Sequence, residues 1–110
     1  MVRGARTLDE TVLNPLLILT EQAEKDLIEA QIWYDQLGYG LGDAFMRAVD
    51  ACFAVIERNP EAFPFSHGQV RRALLRKYPY AVLFRPTGQD ILIVGCLHTS
   101  RDRSSWWDRS

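Results

Sequence analysis

The stretch LHTSRDRSSWW, residues 97–107, gathers side chains that can do chemistry: His98, Arg101, Arg103 and the adjacent Trp106 and Trp107. Guanidinium and indole groups dominate binding hot spots, because each joins a large contact area to directed polar geometry. Arginine also stacks on nucleobases, which keeps nucleic acid open as a partner. The tryptophans have a second use, folding back onto a sheet as core cover. Upstream, Arg71, Arg72, Arg76, Lys77 and Arg85 add a second group of cations. Strand alternation places Arg71 and Arg72 on opposite faces, so these five cannot all serve one site. Some of them can instead edge a sheet or pair with helix acids.

Other chemistries lack their residues. No GxGxxG or Walker loop is present to cradle a phosphate, and no GxSxG elbow to present a serine. His67 and His98 have no HExxH or Cys/His neighbourhood, so neither a metal nor a cofactor is expected. The acidic residues of the first helical segment read as a solvated face rather than a paired-carboxylate site. Cys52 and Cys96 lie 44 positions apart without CxxC spacing and read as buried thiols in a reducing compartment.

The elements that must position these residues follow from periodicity. LLIL (16–19) reads as a short buried strand. Thr20 suits a helix N-cap, with Glu21 and Glu24 where negative charge favours the helix dipole. Ala23, Leu27, Ala30, Tyr34 and Leu37 form one apolar stripe. GYGLG (38–42) makes a turn. A second helix over about 43–58 carries the stripe Leu41, Ala44, Phe45, Ala48, Cys52, Val55 and Ile56, and Asn59-Pro60 stops it. The two helices form a hairpin. Prolines and a glycine mark 59–69 as loop. Strands are predicted at VRRALL (70–75), YAVLFR (80–85) and DILIVGCLH (90–98), with connections short enough for an antiparallel meander. The expected fold is α+β: a two-helix hairpin on a small, largely antiparallel four-stranded sheet, in the order βααβββ. One sheet face should cover the hairpin and the other should be wetter.

At 110 residues the chain has room for one modest core. Residues 1–14 read as an N-terminal extension open to disorder, and 15–110 as a single domain. No apolar run approaches the roughly 20 residues that span a bilayer. No signal-peptide h-region follows the first residues, so a cytoplasmic location without membrane contact is expected. The net charge of −1 hides a division. Residues 1–61 carry 5 basic and 11 acidic side chains, a net of −6, and residues 62–110 carry 8 and 3, a net of +5. Such a split suits one face for an anionic partner, or a simple sorting of charge between helices and strands.

The segments LTEQAEKDLIEAQIWY, the Gly-rich turn, RRALLRKYPYAVLFR and ILIVGCLHTSRD together resemble the RelE/ParE superfamily of bacterial type II toxins, also called plasmid stabilisation proteins. The likeness covers about residues 16–107. Its most telling part is RKYPYAVLFR followed by VGCLHTSRD. It implies the fold above and a cognate antitoxin whose flexible segment wraps the toxin in a hetero-oligomer. Operator DNA would be reached only through that antitoxin. RelE-like members cleave mRNA in the ribosomal decoding site with basic residues on the central strands, a tail arginine and a tail tyrosine. ParE-like members poison DNA gyrase and are not nucleases.

Arg101 falls at the arginine of the RelE-type tail, but Trp107 falls where that tail has its tyrosine, and indole has no titratable hydroxyl. Ala81 and Leu74 stand where the RelE-type pattern carries an arginine and a lysine, while Arg72 keeps an earlier basic position. If the chain were a nuclease, Arg72, Arg85 and Arg101 would be its catalytic candidates. KYPYAVLFR is more ParE-like, and a pI of about 6.1 is low for a protein that must enter ribosomal RNA. The resemblance therefore implies a ParE-type, gyrase-directed toxin rather than an enzyme. Its partner-binding residues would be Arg72, Arg76, Lys77, His98, Arg101, Arg103, Trp106 and Trp107. A ribosome-dependent endoribonuclease and an inactive homologue acting as a binding module remain the alternatives.

Overall fold

The computed structural model describes residues 2–3 and 16–100. Their elements run β1 (Val2–Arg3), β2 (Leu17–Leu19), α1 (Glu21–Leu37), α2 (Leu41–Arg58), a 3-10 turn (Pro60–Ala62), β3 (Phe65–His67), β4 (Val70–Leu74), β5 (Tyr80–Thr87) and β6 (Asp90–His98). The strands form one sheet in the order β1-β2-β6-β5-β4-β3. β2 to β6 make a five-stranded mixed sheet, and the two-residue β1 extends its edge. All neighbours are antiparallel except β2 and β6, where Leu17–Leu19 run parallel to Ile91–Ile93.

The α+β class and the helical hairpin are as expected; the strand count and order are not. β3 lies inside the segment read as loop, and β1 inside the N-terminal extension. All three residues of β3 are exposed, so no alternation of polarity marks it. Its pairing with β4 comes from a two-residue turn at Gly68-Gln69, where Gly68 has a φ of 57° that suits a residue without Cβ. β1 is too short to carry any period.

α1 begins as its sequence requires: Thr20 Oγ1 accepts from the Ala23 amide at 3.0 Å. The helices join closely because Asp35 Oδ1 accepts from the Gly42 amide at 2.8 Å. A Cβ on Gly42 would lie 2.5 Å from that same oxygen, so any other residue here would displace the Asp35 carboxylate. Ala23, Leu27 and Ala30 are buried as the stripe predicts. In α2 the buried face is Gly42, Phe45, Val49, Phe53 and Ile56, which shares Phe45 and Ile56 with the expected stripe but is rotated from it by about one residue. Val49 and Phe53 belong to the core, while Leu41 and Val55 are 41% and 42% exposed. The small residues Ala44 and Ala48 flank the core, only half-buried.

The main core lies between the hairpin and the sheet. Phe45, Val49 and Ile56 meet Leu17, Val82, Phe84, Ile91 and Ile93, and all are buried. Tyr34 stacks on Phe45 at 5.1 Å, and Phe45 meets Tyr80 edge-on at 5.2 Å. The opposite sheet face, expected to be the wetter one, is partly buried as well. Val70, Leu83 and Val94 form a second buried cluster there, with Leu92 and Leu97 against it. Consequently β5 is buried on both faces from Tyr80 through Phe84.

Truncating Leu27 to alanine removes a buried anchor of α1 and should destabilise the protein by about 2–5 kcal/mol in a urea titration. A loss under about 0.5 kcal/mol would show that the stripe does not carry the hairpin.

Candidate functional site

The structure separates the cations by face and by end. On β4, Arg71 pairs with Phe84, a core residue, and its Nη1 donates to the Phe63 carbonyl at 2.5 Å. Its guanidinium lies 3.9 Å from the centre of the Phe65 ring. Arg71 is therefore a clamp on the 59–65 connection. Arg72 points to the other face, opposite Leu83, and Arg85 shares that face, opposite Leu92. Their register makes them diagonal neighbours on adjacent strands, with Cα atoms about 7–8 Å apart in such a pair. Both are half-buried. Leu74 and Ala81 face each other on the same surface.

Arg76 and Lys77 are exposed in the β4–β5 turn. Lys77 holds a φ of 70°, uncommon for a residue with a side chain. The turn is closed by the Leu75 amide donating to the Tyr80 carbonyl at 2.9 Å. β6 ends at this same edge of the sheet. His98 pairs with Tyr80 in register, their rings 5.2 Å apart, and the Thr99 amide donates to the Pro79 carbonyl at 2.8 Å. The Ser100 amide donates to His98 Nδ1 at 3.2 Å. Arg76, Lys77 and His98 thus share one end of the molecule, and Arg72 and Arg85 lie on a sheet face. Arg101, Arg103, Trp106 and Trp107 lie outside the described residues.

An open cleft of about 330 Å³ adjoins His98. Asp26, Glu29, Ala30 and Trp33 of α1 form one wall, and Tyr80, Cys96, Leu97 and His98 of the sheet form the other. Among these only His98 is a candidate from the sequence. Asp26 corrects the expected solvated acidic face: it is 9% exposed, and its Oδ2 accepts from the Cys96 amide at 3.0 Å. Oδ1 also accepts from Gln22 Nε2 at 3.3 Å. The reason is the brevity of β2. Its pairing with β6 stops at Leu19 and Ile93, so β6 continues with one edge open. α1 passes along that edge, and the Asp26 side chain takes the amide that a strand would otherwise have taken. A signal for this wall was present in the sequence: Asp26 flanks the apolar stripe, and Trp33 falls outside it.

Both cysteines are thiols. Burial pushes Cys52 up from 9.0 to about 11. Cys96 is raised further, chiefly by burial and then by the nearby charges of Asp26 and Cys52. Neither has the depressed pKa of a nucleophile.

With this geometry in place, a model of the ParE toxin of type II toxin-antitoxin systems, parDE, matches residues 17–103. The chain belongs to the ParE toxin family. A solved structure described as the chromosomal ParDE TA system from P. aeruginosa is similar in fold, with a TM-score of 0.72 at 19% identity. The match covers 81% of this chain and 100% of that one. Among curated proteins, none matches. The family's match spans the hairpin, the sheet and the cleft, and ends within the basic tail at residue 103. No helix among the described residues is long and apolar enough to cross a membrane.

Two measurements test the cleft wall. Asp26→Ala leaves the Cys96 amide without its acceptor and should cost about 1–3 kcal/mol, with faster hydrogen exchange at that amide. Asp26→Asn keeps an acceptor oxygen and should cost less. The raised thiol pKa favours the neutral form in the folded state. Its stabilisation is therefore complete below pH 9 and declines as the pH rises from 9 towards 11. Stability against pH should consequently fall less steeply across that window in Cys52→Ala than in the parent protein.

Proposed function

We propose that this ParE-type toxin arrests growth in the cytoplasm by poisoning DNA gyrase, and that a cognate antitoxin neutralises it in a hetero-oligomer. Operator DNA is then contacted only through the antitoxin. One observation carries the choice of gyrase over RNA. On the sheet face of Arg72 and Arg85, the positions where the RelE-type pattern has a lysine and an arginine hold Leu74 and Ala81, directly opposite each other. Around them the face is apolar, with Val70, Leu83, Val94, Leu92 and Leu97. In-line attack by a ribose 2′-hydroxyl needs a proton acceptor and donors for the developing phosphorane charge. Two guanidiniums beside leucines supply charge without proton transfer. They suit a protein target reached through contact area and charge, with Arg76, Lys77 and His98 at the adjoining end and Arg101, Arg103, Trp106 and Trp107 in the tail.

Surfaces for an antitoxin are available elsewhere. The edge strand β3 is exposed throughout, with Phe65 60% exposed. On the hairpin, Ile28 and Ile32 are 55% and 51% exposed, one turn apart. An open strand edge and an apolar helix face are the two surfaces that a flexible partner segment covers, by strand addition or as a docked helix.

The deciding experiment runs purified toxin in a gyrase supercoiling assay and in a ribosome-programmed mRNA cleavage reaction. Gyrase should be inhibited and mRNA left intact. Arg101→Ala and Trp107→Ala should each weaken inhibition by about 30-fold, the scale of a hot-spot truncation of about 2 kcal/mol. Trp107→Tyr keeps an aromatic surface and should retain most of the activity. Supercoiling left untouched while mRNA is cut at the ribosomal A site, with cutting enhanced by Trp107→Tyr, would replace this reading with the endoribonuclease.

A further inference from the structure

The cleft between α1 and the ends of β5 and β6 has a chemistry that the toxin's cationic surfaces do not use. Its charged groups are acidic, both supplied by α1 in the acidic N-terminal part of the chain, and they face the ends of strands from the basic C-terminal part. Asp26 and Glu29 are one turn apart on α1 and both line it. Asp26 is buried, its Oδ2 held by the Cys96 amide and its Oδ1 by Gln22 Nε2, so its carboxylate is fixed in place. Glu29 is exposed at the rim. Aromatic rings make up much of the remaining wall: Trp33, Tyr80 and His98. Trp33 is 43% exposed although it is the largest side chain on α1, whereas Tyr80 is 4% exposed and fixed edge-on to His98. No lysine or arginine is among the described residues that line the cleft.

Two carboxylates with aromatic faces around them select for one kind of group. A planar cation can donate charge-assisted hydrogen bonds to the carboxylates along its edge and lie against a ring with its face. Guanidinium meets both conditions. A compact ammonium meets the first only, and being strongly hydrated it loses more on leaving water. A volume of about 330 Å³ is room enough for one long side chain. We propose that this cleft binds the guanidinium of an arginine side chain presented by a protein partner, with Asp26 and Glu29 as its charge partners and Trp33 as its stacking surface. The cleft is then a specificity pocket within a larger protein contact. Its position beside the β4–β5 turn and the last residue of β6 places it at the end of the molecule that carries Arg76, Lys77 and His98. The proposal stands apart from the choice of gyrase or ribosome as target, because it concerns what the isolated toxin binds.

The test uses the full chain, isotopically labelled and followed by NMR, titrated with Nα-acetyl-arginine N-methylamide. The neutral isostere, the citrulline derivative, is titrated in parallel. The arginine compound should give saturable shifts at the Trp33 indole N–H and the Cys96 amide, with a millimolar dissociation constant. The citrulline compound should bind at least about tenfold more weakly. Glu29→Gln and Trp33→Ala replace exposed side chains, so the fold should persist in the spectra, and each should weaken arginine binding several-fold. No saturable shift at these two groups, equal binding of citrulline, or binding unchanged in both variants would overturn the proposal. So would arginine binding that appears only in the Arg101→Ala, Arg103→Ala double variant, since the chain's own tail would then be the occupant.

Discussion

The hydrogen bond from the Cys96 amide to the Asp26 carboxylate settles how helix and sheet meet. β2 is only three residues long, so it covers a third of the nine-residue edge that β6 presents. Beyond it the chain turns away: the Thr20 amide still donates to the Ile93 carbonyl, and then α1 begins. β6 continues past this point with inward-facing amides that no strand can reach. Leaving one of them buried and unpaired would cost about 1–3 kcal/mol. A carboxylate from α1 removes that cost and links residues 70 positions apart in the chain. The same bond holds α1 in a fixed rotation, and that rotation brings Glu29 and Trp33 over Tyr80 and His98.

The sheet has two unlike faces because of an irregularity in β6. Register shifts between Leu83, opposite Gly95, and Phe84, opposite Ile93, which leaves Val94 as the extra residue of a bulge. Before the bulge Ile91 and Ile93 face the helices; after it Cys96 does, within the same core cluster. Val94 and Leu97 go to the opposite face with Leu83 and Val70. Without the extra residue, simple alternation from Ile93 would send Cys96 and His98 to the Arg72 face and Leu97 to the helices. The bulge therefore decides that His98 stands beside the acidic cleft and that the Arg72–Arg85 face stays apolar between its two cations.

This division accounts for the charge pattern of the chain. Acidic residues dominate the helical half and basic residues the sheet and tail, yet the two signs are not simply opposed across the molecule. Arg71 is drawn inward to carbonyls of the 59–65 connection, and Asp26 is drawn inward to an amide of β6. Each anchors backbone groups that lack strand partners. The cations not drawn inward among the described residues of the sheet are those at the β4–β5 turn and on the outer sheet face. In this ParE-family toxin, surfaces of opposite charge are therefore neighbours.

The sequence by itself determined the parts whose cause is local. Thr20 and the acidic first turn start α1, Asn59-Pro60 ends α2, glycines mark the turn between the helices and the turn before β6, and the runs read at 70–75, 80–85 and 90–98 become the three long strands Val70–Leu74, Tyr80–Thr87 and Asp90–His98. It also carried the family, through the order and spacing of RKYPYAVLFR and VGCLHTSRD. Tertiary structure alone decided the remainder. β3 has no period because every residue of it is exposed, and it is a strand only because β4 lies next to it. The α2 stripe turns towards Val49 and Phe53 because the sheet, and not α1 alone, sets which face is covered. Asp26 looked like a surface acid because a helix period says nothing about an unpaired amide on a distant strand. The parity of β6 after Val94 depends on pairing with β5. The acidic cleft follows from these last two, since both require contacts between residues far apart in sequence that no local pattern records.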